Sequence, residues 1–313
     1  MLYSKMLTLR NIAVVTAMVL SVPSTASAMR RQNNSSRILS ESQALEPIVD
    51  GHDFAYYFQV KFQPLVDFDT DSCYSVPAMT IDGTPSEGLS PSDDVGPCRP
   101  RSALDRTNVY VRGRCNRGWC AFVYAYYFQM DWAWSWPVSG YNHRHDWEHV
   151  VVWAKEGKVR GVSVSQHGGY ENRVAEDQRL RFDYTPKEFP YPAWDPMPTS
   201  VAMHPKVVFH KDGARTHCFR FAKDSDDYEG QENERGVWIR GGLISMLLMP
   251  SDWQEKFRSQ DWGSAHMAWA NEDDFTGHLV KSMPQEARDE GFDCAYDENP
   301  ALKGFPMDWK KWD

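Results

Sequence analysis

The stretch Asn142-His143-Arg144-His145-Asp146-Trp147-Glu148-His149-Val150-Val151-Val152-Trp153 joins the densest polar cluster of the chain to a short apolar run. The apolar half reads as a buried central strand. Side chains alternate along a strand, so Asp146 and Glu148 should share a face. His143 is expected on a loop just before the strand, folding over that same face. Upstream, Ala121-Phe122-Val123-Tyr124-Ala125-Tyr126-Tyr127-Phe128 is rich in aromatic and β-branched residues and reads as a second strand. If the two strands pair, Asp131 at the end of the second reaches the carboxylates of the first.

Three carboxylates and an imidazole brought together repel one another unless something positive sits among them. A hard divalent cation would do this, and oxygen-dominated coordination favours Mg, Ca or Mn over Zn. The alternative is an ion-pair network in which Arg144 neutralises Asp146 and Glu148; spacing alone does not choose between the two. A zinc hydrolase is a weaker third reading. The His-Glu-x-x-His pattern is absent and no nucleophile with a positioned base is evident, so the chain is expected not to be an enzyme.

Working outward, Val60-Lys61-Phe62-Gln63, Asn108-Val109-Tyr110-Val111, Lys158 to Ser165 and Lys206 to His210 read as further strands, with Asp82-Gly83 and Asp212-Gly213 as turns. Gln254 to Arg258 and Gly277 to Met283 read as short helices. The sum is a mainly β protein, a single-domain β-sandwich with peripheral helices. The acidic stretch Asp224 to Gly230 fails the spacing of a calcium loop and reads as a solvated loop instead.

Residues 1–28 have the three parts of an export signal: Lys5 and Arg10, an apolar segment from Asn11 to Val22, and Ala26-Ser27-Ala28 for cleavage. The apolar segment is shorter than the about 20 residues needed to cross a bilayer, so no transmembrane segment is expected. Residues 29–45 are polar and aperiodic, a disordered leader with glycosylation sequons at Asn33 and Asn34. Residues 46–285 form the expected domain and 286–313 an extension on its surface. The chain carries a net charge of −9, which argues against a nucleic-acid partner; a monomer in solution is expected. Six cysteines in an exported chain suggest three disulfides. Of the possible pairings the expected one is Cys73–Cys98, Cys115–Cys120 and Cys218–Cys294, with free buried thiols as the alternative.

Asn142 to Glu148, NHRHDWE, resembles the signature GHRHDWE of the necrosis- and ethylene-inducing peptide-like proteins. Further matches follow in order: Lys61-Phe62-Gln63-Pro64 with Cys73, Pro77-Ala78, Gly83 and Gly88-Leu89; the aromatic strand ending in Asp131; Gln166-His167-Gly168-Gly169-Tyr170; Phe209 to Gly213 with Thr216 to Ala222, as in the family's cysteine-richer subfamily; and Asp261-Trp262-Gly263 with Asn271 to Phe275. The resemblance implies an actinoporin- and lectin-like β-sandwich. It implies a divalent cation, usually Mg, held by Asp131, His143, Asp146 and Glu148, with His167 and His217 lining the pocket. It implies a secreted cytolytic toxin and virulence factor that binds sphingolipid headgroups of the plant plasma membrane and causes membrane damage, necrosis and immune responses.

Two departures from the family pattern stand out. Asn142 replaces the signature's glycine, at a position where a left-handed backbone is expected. Gln129-Met130 replaces Pro-Lys before Asp131, and an inserted spacer holds Trp132-Ala133-Trp134-Ser135-Trp136-Pro137. Either change could displace Asp131 and leave a non-cytotoxic glycan-binding protein or immune elicitor. The period-two spacing of Trp132, Trp134 and Trp136 puts the indoles on one face, as a membrane-docking loop or as ordinary core.

Overall fold

The computed structural model describes residues 54–298 apart from 92–93, 134–141, 184–202, 214–215 and 247. The expected export signal and leader, both sequons, Trp134, Trp136 and residues 299–313 lie outside the described residues. The elements in chain order are α1 (Phe54–Lys61), β1 (Leu65–Phe68), β2 (Asn108–Asn116), β3 (Trp119–Asp131), β4 (His143–Lys155), β5 (Lys158–Gln166), β6 (Gly169–Val174), β7 (Phe182–Asp183), β8 (His204–Lys211), β9 (His217–Phe221), α2 (Asp224–Tyr228), β10 (Gly242–Ser245), α3 (Ser251–Ser259), α4 (Glu272–Ser282) and α5 (Gln285–Asp289).

Strands β2 to β6 form an antiparallel meander, and β10 adds in parallel beside β2 to complete a six-stranded sheet. Its hairpins turn on Arg117-Gly118, Glu156-Gly157 and His167-Gly168, each with both residues at positive φ. Such two-residue turns match the right-handed twist of the flanking strands, and the glycine carries the more costly conformation. The second sheet is smaller: β8 pairs in parallel with β1 and antiparallel with β7 and β9.

The sheets pack through side chains of alternating parity. Phe128 of β3 stacks on Phe209 of β8 at 3.8 Å, and Tyr126 meets Phe219 of β9 edge-on at 5.1 Å. The odd-numbered residues face the other way. Tyr127 and Trp147 pack against Trp262, each at 5.3 Å, and Trp153 meets Phe292 at 4.9 Å. Phe257 of α3 lies 5.0 Å from Tyr110 and 6.2 Å from Trp147, and Ser282 of α4 accepts from Trp153 Nε1 at 3.3 Å, so the helices expected at the periphery cover the outer face of the large sheet. Every residue of β3 is buried in consequence, which is why its sequence reads as a continuous aromatic run.

Four expectations need correction. The alternation at Val60 to Gln63 marks no strand: Lys61 ends α1, and Phe58 and Phe62 stack at 5.6 Å through the four-residue spacing of a helix. The acidic stretch from Asp224 is the short helix α2, tied down by ion pairs of Asp226 with Arg220 at 2.7 Å, Asp227 with Lys206 at 2.7 Å, and Asp224 with Arg181. The helix expected from Gly277 begins earlier, at Glu272, because the Asn271 side chain caps it by accepting from the Asp274 N–H at 2.8 Å.

The fourth correction concerns cysteine. Cys73–Cys98 and Cys115–Cys120 are bonded as expected, whereas Cys218 and Cys294 are free and buried. Cys218 lies on β9 beside His210. Cys294 lies at the far end of β2, its carbonyl accepting from Arg114. Polar contacts fix the described part of the extension in place of the expected disulfide. The Asn116 amide donates to the carbonyls of Asp293 at 2.8 Å and Tyr296 at 2.6 Å, and Asp297 accepts the Cys115 N–H at 2.9 Å. Alkylation in denaturant without reductant should therefore label two cysteines, Cys218 and Cys294, by peptide mass mapping. Labelling of none would restore the three-bridge framework.

Candidate metal centre

The cross-strand register sets Asp131 opposite His143, Phe128 opposite Asp146 and Tyr126 opposite Glu148. Asp146 and Glu148 share the face of β4 turned toward the small sheet, as alternation requires. His143 is the first residue of β4 and not part of a preceding loop. Strict alternation would send its side chain to the opposite face from Asp146. His145 prevents this: its φ is 59°, a left-handed backbone inside the strand, which resets the alternation. His143 Nε2 thereby comes within 3.7 Å of Asp131 Oδ2, while its Nδ1 donates to the His145 carbonyl at 2.7 Å.

The unusual backbone of His145 is supported from the other face. Its Nδ1 bonds the Tyr127 hydroxyl at 2.6 Å and its ring meets Trp262 edge-on at 5.3 Å. Gly88 closes over the ring; a Cβ there would lie 2.6 Å from it. The signature's left-handed residue is thus His145, and Asn142 is not left-handed. Asn142 instead accepts the Ala133 N–H at 2.7 Å, linking the two ends of the spacer.

Asp131 is tied to the opposite sheet. Its Oδ1 lies 2.6 Å from His217 Nδ1, and its Oδ2 accepts the His217 backbone N–H at 3.0 Å. Burial alone would lower the pKa of His217, but the neighbouring carboxylates of Asp131 and Asp71 outweigh it and hold it up at about 9. His217 is therefore a cation at neutral pH, committed to Asp131.

Asp146 and Glu148 have no such partner. Asp146 Oδ1 accepts the Trp147 N–H at 3.0 Å, and its Oδ2 is buried with no hydrogen-bond partner. Burial first, and the charge of Asp131 next, push its pKa up to about 7. Glu148 accepts from the Ser165 hydroxyl, and burial followed by the charge of Asp146 raises it well above the usual carboxylate range. Arg144 does not neutralise them. It turns away to the Glu87 carbonyl at 2.9 Å and to Ser90, so the ion-pair alternative fails. An orphaned buried carboxylate oxygen, a second carboxylate and an imidazole nitrogen are donors of the type a hard divalent cation takes, although they do not converge within 4.8 Å of one another as the His167, Asp212 and Cys218 donors do.

The remaining expected residues divide. His217 belongs to the site through Asp131. His167 sits in the β5–β6 turn, where its Nε2 meets Asp212 at 3.0 Å and its Nδ1 faces Thr216 at 3.5 Å; these are not the carboxylates it was expected to join. Trp132 is not a free docking residue: it is half-buried against the core, with Lys211 Nζ 5.7 Å from its ring. Ser165 and Asp71 were missed. Ser165 could have been found by pairing β4 with β5 around Glu156-Gly157, whereas Asp71 comes from a loop with no distinguishing pattern.

A two-sheet β-sandwich with buried carboxylates gathered where β3 and β4 meet β9 is what the fold and site define. The sequence profile described as "Necrosis inducing protein (NPP1)" matches residues 57–282, and the chain belongs to that family. It is 36% identical over 116 residues to NLP effector protein 10 of Phytophthora capsici, covering 36% of this chain and 47% of that protein. It is 32% identical over 222 residues to NLP effector protein 3 of Plasmopara viticola, covering 69% of this chain and 82% of that protein. The chain thus spans about half the length of the first of these relatives. A solved structure described as NLPPya in complex with glucosamine superposes with a TM-score of 0.59 at 24% identity, over 78% of this chain and 98% of that one. The fold is that of the NLP toxins, the actinoporin-like β-sandwich expected from the resemblance.

A carboxyl that titrates near 7 in the folded chain, against 3.8 ordinarily, holds its proton more tightly folded than unfolded. Its ionisation costs stability as pH rises past the ordinary value, and the full cost is present above about 7. With a chelator present, Asp146→Asn should therefore be more stable than the wild type at pH 8 by urea unfolding, and the two should converge near pH 4. Equal stability at both pH values would remove the repulsion on which the cation reading stands.

Proposed function

We propose that the chain is exported and acts as a membrane-damaging effector. In this proposal Asp146, Glu148 and His143 hold a divalent cation, Mg foremost with Ca or Mn as alternatives. The occupied pocket then binds the sugar headgroup of plant plasma-membrane sphingolipids. The observation that carries the proposal is the buried, unpartnered Oδ2 of Asp146 beside a second raised carboxylate. When bound, the cation would neutralise the carboxylates and offer open coordination positions to sugar hydroxyls.

The chain's own residues do the positioning. His217 fixes Asp131, Asp131 faces His143, and the His145 backbone delivers His143 to the site. The glucosamine complex of NLPPya supports an amino sugar as part of the ligand, since an ammonium group complements an acidic pocket. The apolar segment ending at Ala26-Ser27-Ala28 supports export. No helix among the described residues is long and apolar enough to cross a membrane. Binding without bond cleavage fits this donor set.

A non-cytotoxic binder or immune elicitor is the second reading, favoured by one observation: both oxygens of Asp131 are already engaged by His217. Dye-filled vesicles made with plant sphingolipids separate the two. Release in Mg that is lost with chelator and reduced at least tenfold in Asp146→Ala supports lysis. Binding without release supports the second reading, and absence of binding by the folded protein overturns both.

A further inference from the structure

We propose that the chain carries a second metal site, suited to zinc, where the β5–β6 turn meets the end of the β8–β9 hairpin. Its donors are His167 Nε2, the Asp212 carboxylate and Cys218 Sγ. The three donor atoms lie within 4.8 Å of one another. His167 Nε2 is already 3.0 Å from Asp212 Oδ2, and His210 Nε2, 3.8 Å from Cys218 Sγ, stands behind the thiol as a neighbouring imidazole. Zinc bonds to nitrogen and sulfur of about 2.0–2.3 Å place donors on a tetrahedron roughly 3.3–3.8 Å apart. The cluster is therefore close to coordinating geometry before any ion enters.

Three local features build this arrangement. The left-handed His167, with φ 48°, carries its ring over the hairpin turn toward the small sheet. The β8–β9 register pairs His210 with Cys218 and Lys211 with His217, leaving Asp212 at the mouth of the hairpin. Cys218 follows His217, and successive side chains of a strand take opposite faces, so His217 turns to Asp131 while Cys218 turns to His167. Cys218 forms no disulfide and is buried, whereas His167 and Asp212 are open to solvent. An ion can thus enter from the rim and close against the thiol, with the fourth position left to water.

The two sites differ in chemistry. The first offers carboxylates and one imidazole, a hard set. The second offers nitrogen, oxygen and sulfur, the set zinc takes in proteins. An ion at the second site would join the β5–β6 turn to the hairpin that carries His217, and so brace the anchor of Asp131. This inference is independent of the Mg reading.

Cobalt(II) titration of the full chain under reducing conditions tests it, because thiolate coordination gives an intense near-ultraviolet charge-transfer band. The proposal expects the band at one equivalent, its displacement by Zn, and its persistence in a large excess of Mg. Cys218→Ser should abolish the band, Cys294→Ser should retain it, and His167→Ala, at an open turn, should weaken cobalt binding at least tenfold. Circular dichroism checks that each variant is folded. Absence of the band in the wild type, a band that follows Cys294, or an unchanged affinity in folded His167→Ala overturns the proposal.

Discussion

The pairing of Asp131 with His217 holds the functional end of the sandwich together. Asp131 is the last residue of β3 and His217 the first of β9, so the contact joins the two sheets at a strand end of each. It engages the carboxylate at two points, the imidazole and the backbone N–H, and both partners are almost wholly buried. A buried carboxylate without this partner would be strongly disfavoured, and so would the imidazolium. The pair therefore sets the distance between β9 and the β3–β4 hairpin. It also leaves Asp146 and Glu148 beside it without a cationic partner, because His217 is committed to Asp131.

The cluster is shaped from the outside as well. The left-handed His145 depends on Tyr127, Trp262 and the uncovered Cα of Gly88, all on the helical face of the large sheet. The packing on the second face of β3 and β4 thus shapes the acidic site on the first face through one residue's backbone. Burial of the central strands and presentation of the cluster are parts of the same packing.

Much of this was legible in the sequence where the controlling interactions are local. Alternation along β4 placed Asp146 and Glu148 on one face, and the aromatic run of β3 marked a central strand with Asp131 at its end. The resemblance of NHRHDWE to a family signature pointed to the fold and the same four residues. Other features were not legible because their causes are distant or conformational. The resemblance placed His217 in the pocket, but its bonding to Asp131, 86 residues away, has no local signal. A histidine in the left-handed region is uncommon, so no local pattern pointed to His145 over Asn142. The Cys218–Cys294 pairing failed because cysteine count carries no information about which end of a sheet each thiol occupies.

The central claim is that Asp146, Glu148 and His143 form a cation site whose remaining wall, Asp131, is fixed by His217. Anomalous scattering from crystals grown with manganese measures this directly. The account predicts one strong peak among the side chains of His143, Asp146 and Glu148, with Asp131 still bonded to His217. A well-ordered acidic cluster with no peak, or a peak elsewhere and Arg144 turned in to pair with Asp146, would contradict it.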